Sequence, residues 1–278
     1  MSPYTHGHAE PVLRSHAWRT VANSAGYLAP QLRPGMRVLD VGCGPGTITL
    51  DLARHVAPGA VVGLDPAPAA VEAASAALAA TRASGEALSV ELVCGLLDSY
   101  AGDHAAEFDV VHAHQVLQHL ADPVAALRQM SRLCRPDGLV AVRDADYAAF
   151  SWFPEVPALD EWRHLYRTVA RSCGGEPDAG RRLLSWAQQA GLRSVRASAS
   201  TWCFATPADR AWWGGMWADR IVDSDLARRA VDDGVASTVD LLRLRRGWQE
   251  WAAAEDGWLL VPHGQILASP PGGPPTAD

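Results

Sequence analysis

The run Arg37-Val38-Leu39-Asp40-Val41-Gly42-Cys43-Gly44-Pro45-Gly46-Thr47 constrains this chain more than any other stretch. Val38, Leu39 and Val41 have the apolar character of a parallel strand covered on both faces, and Thr47 to Ala53 resumes with helical spacing. Three glycines lie at the junction, where a backbone without Cβ can adopt positive φ or lie directly against a ligand. A helix N-terminus beyond them offers unpaired N–H donors to an anionic group. The spacing then discriminates. A dinucleotide fingerprint reads G-x-G-x-x-G, whereas Thr47 stands where its third glycine would fall, which disfavours an NAD-dependent oxidoreductase. All 24 basic residues are arginine, so a Walker lysine and lysine Schiff-base chemistry are excluded.

In Val61-Val62-Gly63-Leu64-Asp65-Pro66 a short apolar run ends in an acid. A carboxylate at the end of a second parallel strand can accept both hydroxyls of a ribose. Further strands are expected at Leu88–Val93, Phe108–Ala113, Leu139–Arg143, Arg193–Phe204 and Gly257–Ala268. Helices are expected at Pro11–Leu32, Ala67–Ala83, Glu155–Ser172, Ala179–Ala190, Pro207–Val231 and Thr238–Ala253. Strands alternating with helices imply βαβ units and a parallel sheet, with ligands bound beyond the carboxyl ends of its strands.

The sequence Val-Leu-Asp-Val-Gly-Cys-Gly-Pro-Gly followed by Thr resembles motif I of the class I S-adenosylmethionine-dependent methyltransferases. Phe108–Leu120 resembles the motif after their fourth strand, and Leu133–Gly138 the one before the fifth. Both are most similar to the subgroup related to ubiquinone and menaquinone biosynthesis methyltransferases. The resemblance implies an α/β fold: a Rossmann-like, doubly wound, mostly parallel sheet, here with an inserted Trp-rich helical cap. It implies S-adenosyl-L-methionine as cofactor. By position, Asp40 with Gly42, Cys43, Gly44, Gly46 and Thr47 would hold the methionine end, and Asp65 with Pro66 the ribose. His114, Gln115 and His119 would line the same site after the fourth strand. The subgroup's Gly-Asp pair after the third strand is missing; either Asp98 reaches the adenine from a shifted position, or the backbone of Leu96 and Leu97 does so.

Methyl transfer from a sulfonium is an in-line displacement, so placement of the nucleophile is the main task. A base helps where the acceptor must lose a proton. The candidates are His114, His119, Asp144, Asp146, Tyr147 and His263, with the polar run Arg143–Tyr147 directly after the fifth strand as the preferred acceptor-side cluster. Asp144 and Asp146 could instead cap a helix or pair with arginines, and His119 could serve as a local hydrogen-bonding residue. His263 reads as a surface residue. Tyr4 and Trp18, in a lid helix, and Tyr147, Trp152 and Trp213 are the acceptor-side candidates, while most tryptophans read as cap core. His6 and His8 lack a third metal ligand nearby, so no metal is expected.

The expected organisation is a lid helix over 1–34, a cofactor-binding core over 35–150, a cap plus the final strands over 151–268, and a disordered tail over 269–278. Hydrophobic residues make up 48% and charged residues 20%, ordinary for a globular chain. The net charge of −7 argues against nucleic acid as partner. The N-terminus lacks a signal pattern and no apolar run could span a bilayer, so a cytoplasmic monomer or homodimer without membrane attachment is expected. The five cysteines are scattered and read as reduced. The function expected is methylation of a small aromatic or polyketide-like specialised metabolite. The alternative is a protein of the same fold that binds the cofactor without transferring methyl, as a cyclase, a decarboxylase or a regulatory module.

Overall fold

The computed structural model describes residues 18–272. Tyr4, His6, His8 and the first third of the expected first helix, residues 11–17, lie outside them. Within them that helix is reduced to α1 (Val21–Ser24) and a single 3-10 turn at Ala29–Gln31, with Gly26 and Pro30 interrupting helical propagation.

Five strands form the parallel half of the sheet: β1 (Arg37–Val41), β2 (Ala60–Asp65), β3 (Val90–Cys94), β4 (Phe108–His114) and β5 (Cys134–Ala145). They alternate with α2 (Thr47–Val56), α3 (Pro68–Ala83), α4 (Leu97–Asp103) and α5 (Pro123–Leu133). β6 (Ser151–Phe153), α6 (Pro157–Ser172), α7 (Leu183–Gln189) and β7 (Arg193–Phe204) follow. After α8 (Pro207–Arg220), α9 (Asp225–Asp232) and α10 (Thr238–Ala253), β8 (Trp258–Ser269) returns to the sheet. The order is β3-β2-β1-β4-β5-β8, with β7 on the far side of β8 and β6 pairing the start of β8. β8 runs antiparallel to both β5 and β7.

Alternation along the strands sorts their side chains between two faces. Val38, Val110, Ala141 and Leu267 pack with Leu28, Ile48 and Leu52 on the face covered by the N-terminal segment and α2. Leu39, Val111, Val140 and Ile266 face the layer of α5 and α7. The register continues the first face upward through Asp40 and His112, His114 and Arg143, Gln265 and Ser198, and His263 and Ser200. A row of polar side chains therefore crosses the sheet near the carboxyl ends of its parallel strands.

α6, α8, α9 and α10 enclose a separate core, in which Trp162, Trp217, Trp248 and Trp251 are fully buried. Trp162 meets Trp217 and Trp248 edge-on, with ring centroids 4.5 and 4.7 Å apart. Edge-to-face contact is the favoured geometry for aromatic quadrupoles. The single helix expected over Pro207–Val231 is divided, because Ser224 turns extended and its hydroxyl accepts from Ala227 N to start α9. β6 has no counterpart in the sequence reading. Among the described residues no helix is long and apolar enough to cross a membrane.

Candidate cofactor and acceptor site

The glycine loop leaves β1 at Val41 and enters α2 at Thr47. Gly42 has φ 69° and Gly46 φ 80°, in the left-handed region where a side chain is strained. A Cβ on Gly42 would overlap Val116 Cγ2, and one on Gly46 would sit 2.9 Å from Ala74 Cβ. Gly42 N and Cys43 N donate to Leu64 O, binding the loop to the end of β2. Asp65 completes this join. Its Oδ2 accepts from Gly44 N at 3.0 Å and its Oδ1 from Ala67 N at 2.9 Å. A carboxylate offers two oxygens and several acceptor directions, which suits a vicinal diol. Pro66 is exposed beside it.

Asp40 is placed differently from the expectation. Alternation turns it under the loop, where it is buried; Oδ1 pairs with His112 Nδ1 at 2.8 Å and Oδ2 accepts from Thr49 Oγ1 at 2.6 Å. It braces β1, β4 and α2 instead of opening toward a ligand. Cys43 is also buried; burial and the nearby Asp40 and Asp65 push its thiol upward, so it stays protonated. Asp98 points away from the site and accepts from Gln129 Nε2 of α5 at 2.6 Å. Leu96, exposed, and Leu97, half-buried, begin α4 beyond β3, leaving their backbone as the adenine-side alternative.

His114 ends β4, buried, with neither ring nitrogen hydrogen-bonded. Burial first, then the positive charges of Arg19 and Arg143, hold it well below the usual histidine range. His263 stacks on it at 5.9 Å. The surface role expected for His263 is wrong: β8 pairs it with Ala145 and it is 1% exposed. Burial and Arg143 push its pKa down as well. Its Nδ1 lies 2.8 Å from Val261 O and its Nε2 2.8 Å from Gln115 Nε2, while Gln115 Oε1 accepts from Arg19 at 2.6 Å. This relay defines one neutral tautomer, with the proton on Nδ1 donated to Val261 and Nε2 accepting from Gln115. Gln115, at φ 54°, is held in the left-handed region.

The other base candidates disperse. His119 is half-buried, its Nε2 3.1 Å from Gln118 Nε2, and burial lowers its pKa to about 3. Asp144 is fully buried on the opposite sheet face, accepting from Gln118 N at 3.3 Å; burial raises it to about 8. Asp146 forms a two-point pair with Arg181 at 2.6 and 2.8 Å. Tyr147 is buried between Phe150 and Tyr166, at 4.5 and 3.9 Å, inside the cap core. The reading of Asp146, Tyr147 and Asp144 as one acceptor-side cluster therefore fails, because β5 alternates and its continuation turns into the cap. Trp152 lies under the Arg163 guanidinium at 4.7 Å and packs against that same core.

Trp18 and Trp213 belong to a second aromatic group. Trp18 packs edge-on against Trp202 at 5.1 Å and also meets Phe204 and Trp212. Trp213 stacks on Phe204 at 4.2 Å. Trp202 lies 5.6 Å from His114 and 4.4 Å from His263, and its Nε1 donates to Asn23 O at 2.6 Å. The sequence reading missed Gln265, Ser200 and Tyr27, and took Arg143 only as part of the polar run Arg143–Tyr147 after the fifth strand. Period-two alternation from Ala141 would have placed Arg143 on the ligand-side face.

The methyltransferase-domain family model matches residues 13–197. The uncharacterized methyltransferase C1B3.06c of Schizosaccharomyces pombe is 33% identical over 275 residues, 95% of each chain. A ubiquinone biosynthesis O-methyltransferase of Escherichia coli is 30% identical over 175 residues, 60% of this chain and 68% of its own. The solved YcgJ protein of Bacillus subtilis matches with TM-score 0.55 at 21% identity, covering 88% of this chain and 96% of that one, a likeness of fold.

Proposed function

Since the chain belongs to the class I S-adenosylmethionine-dependent methyltransferases, we propose that its acceptor is a small aromatic or polyketide-like molecule of specialised metabolism. The observation that carries this reading is the indole pair Trp18 and Trp202, which lines the cavity under the N-terminal segment, with Trp202 beside His114 at the end of β4. A flat ring can stack there with its nucleophilic atom turned toward the carboxyl ends of the strands.

The residues present fit the cofactor. The Asp65 carboxylate stands at the end of β2, where it would hold the ribose hydroxyls, and it is joined through Gly44 N to the glycine loop that leads into α2. When bound, S-adenosylmethionine supplies a methyl group on a cationic sulfur. The chain's own contribution is placement and electrostatics. His114 is a poor resting place for a proton, because Arg19, Arg143 and burial oppose the imidazolium. The same positive charges favour an ionised acceptor oxygen or nitrogen, so the proton leaves to solvent and His114 positions the nucleophile.

Transfer of label from methyl-labelled cofactor to phenols, quinones, indoles, amines and thiols tests the reading, with S-adenosylhomocysteine affinity measured alongside. Label on phenols, quinones or indoles supports it. Transfer confined to aliphatic amines or thiols overturns the aromatic assignment, and tight binding without transfer favours a non-methylating role.

A further inference from the structure

Between the N-terminal segment and the sheet lies a cavity of about 430 Å³, lined by Tyr27, Arg143, Ser200, Trp202 and Gln265, with Trp18 also contributing. This is within the size range of small-molecule sites. Arg143 is 1% exposed and rigidly held. Its Nε donates to Ser200 Oγ at 3.1 Å, and its guanidinium lies 4.9 Å from the centroid of the Trp202 ring. Ser200 also receives Gln265 Nε2, while Gln265 Oε1 accepts from Ser198 at 2.9 Å, so this wall is internally satisfied.

Two donors are not. Arg143 Nη1 and the Tyr27 hydroxyl are both buried without a hydrogen-bond partner. Among the described residues Arg143 forms no ion pair with an acid, since its neighbour Asp144 turns to the other sheet face and accepts from Gln118 N. A buried guanidinium is ordinarily paired with an anion, and its planar donor set matches a carboxylate. Burial lowers Arg143 to about 9 and raises the Tyr27 hydroxyl, so at neutral pH both carry protons to donate.

We propose that this cavity holds a carboxylate of the methyl acceptor, which receives hydrogen bonds from Arg143 Nη1 and Tyr27 Oη while its ring lies against Trp202. The assignment to the acceptor rests on the methyltransferase reading; the other source of the same chemistry is the cofactor's own carboxylate. Trp202 lines the cavity and also contacts His114, which places the cavity next to the end of β4.

Calorimetry with benzoate and phenylacetate, against their methyl esters, on protein saturated with S-adenosylhomocysteine tests the proposal. The acids should bind at least tenfold more tightly than the esters. Arg143→Met should abolish that preference with S-adenosylhomocysteine affinity within twofold of wild type. Tyr27→Phe, which keeps the ring in place, should weaken both acids several-fold and carries the test should Arg143→Met fail to fold. Esters that match the acids on wild type, or an acid preference that survives Tyr27→Phe unchanged, overturns the site. Parallel tenfold losses for the acids and S-adenosylhomocysteine in Arg143→Met assign the carboxylate to the cofactor and overturn the acceptor site. Failure of the wild type to bind S-adenosylhomocysteine counts against the methyltransferase reading itself.

Discussion

Asp65→Asn looks conservative, yet the structure predicts that it is not. Both carboxylate oxygens already accept backbone N–H groups, one from Gly44 in the glycine loop and one from Ala67 before α3. An amide has only one oxygen. Whichever way it turns, its NH2 faces one of these two N–H donors, so a bond is lost and a donor is left without an acceptor. A hydrogen bond to a charged group contributes about 1.5–3 kcal/mol, and an unsatisfied donor costs about 1–3 kcal/mol. The join between loop and β2 is thereby loosened at the place where the ribose is held. S-adenosylhomocysteine binding should weaken by about 1–3 kcal/mol, roughly 5- to 150-fold, in Asp65→Asn and Asp65→Ala alike. Isothermal titration calorimetry on both variants measures this, with thermal unfolding to confirm that each is folded. Affinity of Asp65→Asn within twofold of wild type would refute the reasoning.

His114 and His263 are held below the free histidine value of 6.5, so the unfolded chain takes up protons there that the folded chain refuses. Their contribution to stability is present above pH 6.5 and is lost as pH falls below it. Melting temperatures between pH 7 and pH 5 should therefore fall less steeply for His263→Gln than for wild type; parallel slopes would remove this account. Trp162→Ala, which opens the centre of the cap between Trp217 and Trp248, should cost about 3–5 kcal/mol in urea denaturation. A loss under 1 kcal/mol would mean that the cap core can collapse around the gap.

Much of the parallel half was legible because its signals are local. Val38 to Val41, the glycines and Asp65 each announce a strand, a turn and a strand end within a few residues. Arg193–Phe204 and Thr238–Ala253 were placed at the residues the structure shows. The acceptor side was not legible, because its side chains meet only through pairing between distant strands. His263 resembles a surface residue within Pro262-His263-Gly264, and becomes interior because β8 enters between β5 and β7. Arg143 and Asp144 read as parts of one cluster because they are adjacent, although alternation sends these two to opposite faces. Asp146 and Tyr147 were grouped with them by adjacency, while the chain beyond β5 turns into the cap.

The late return of β8 also affects how the polypeptide emerges from the ribosome. β5 is complete at Ala145 but its outer neighbour begins only at Trp258. At about 5–20 residues per second, that strand waits roughly 6 to 23 seconds with an open edge. β7 waits beside it for the same partner, while the intervening helices are still being made. An unpaired edge is a template for the wrong strand. The nascent chain is therefore most exposed to mispairing over an interval in which its cofactor-binding half can already be in place, and arrival of the last dozen sheet residues closes that interval on both sides at once.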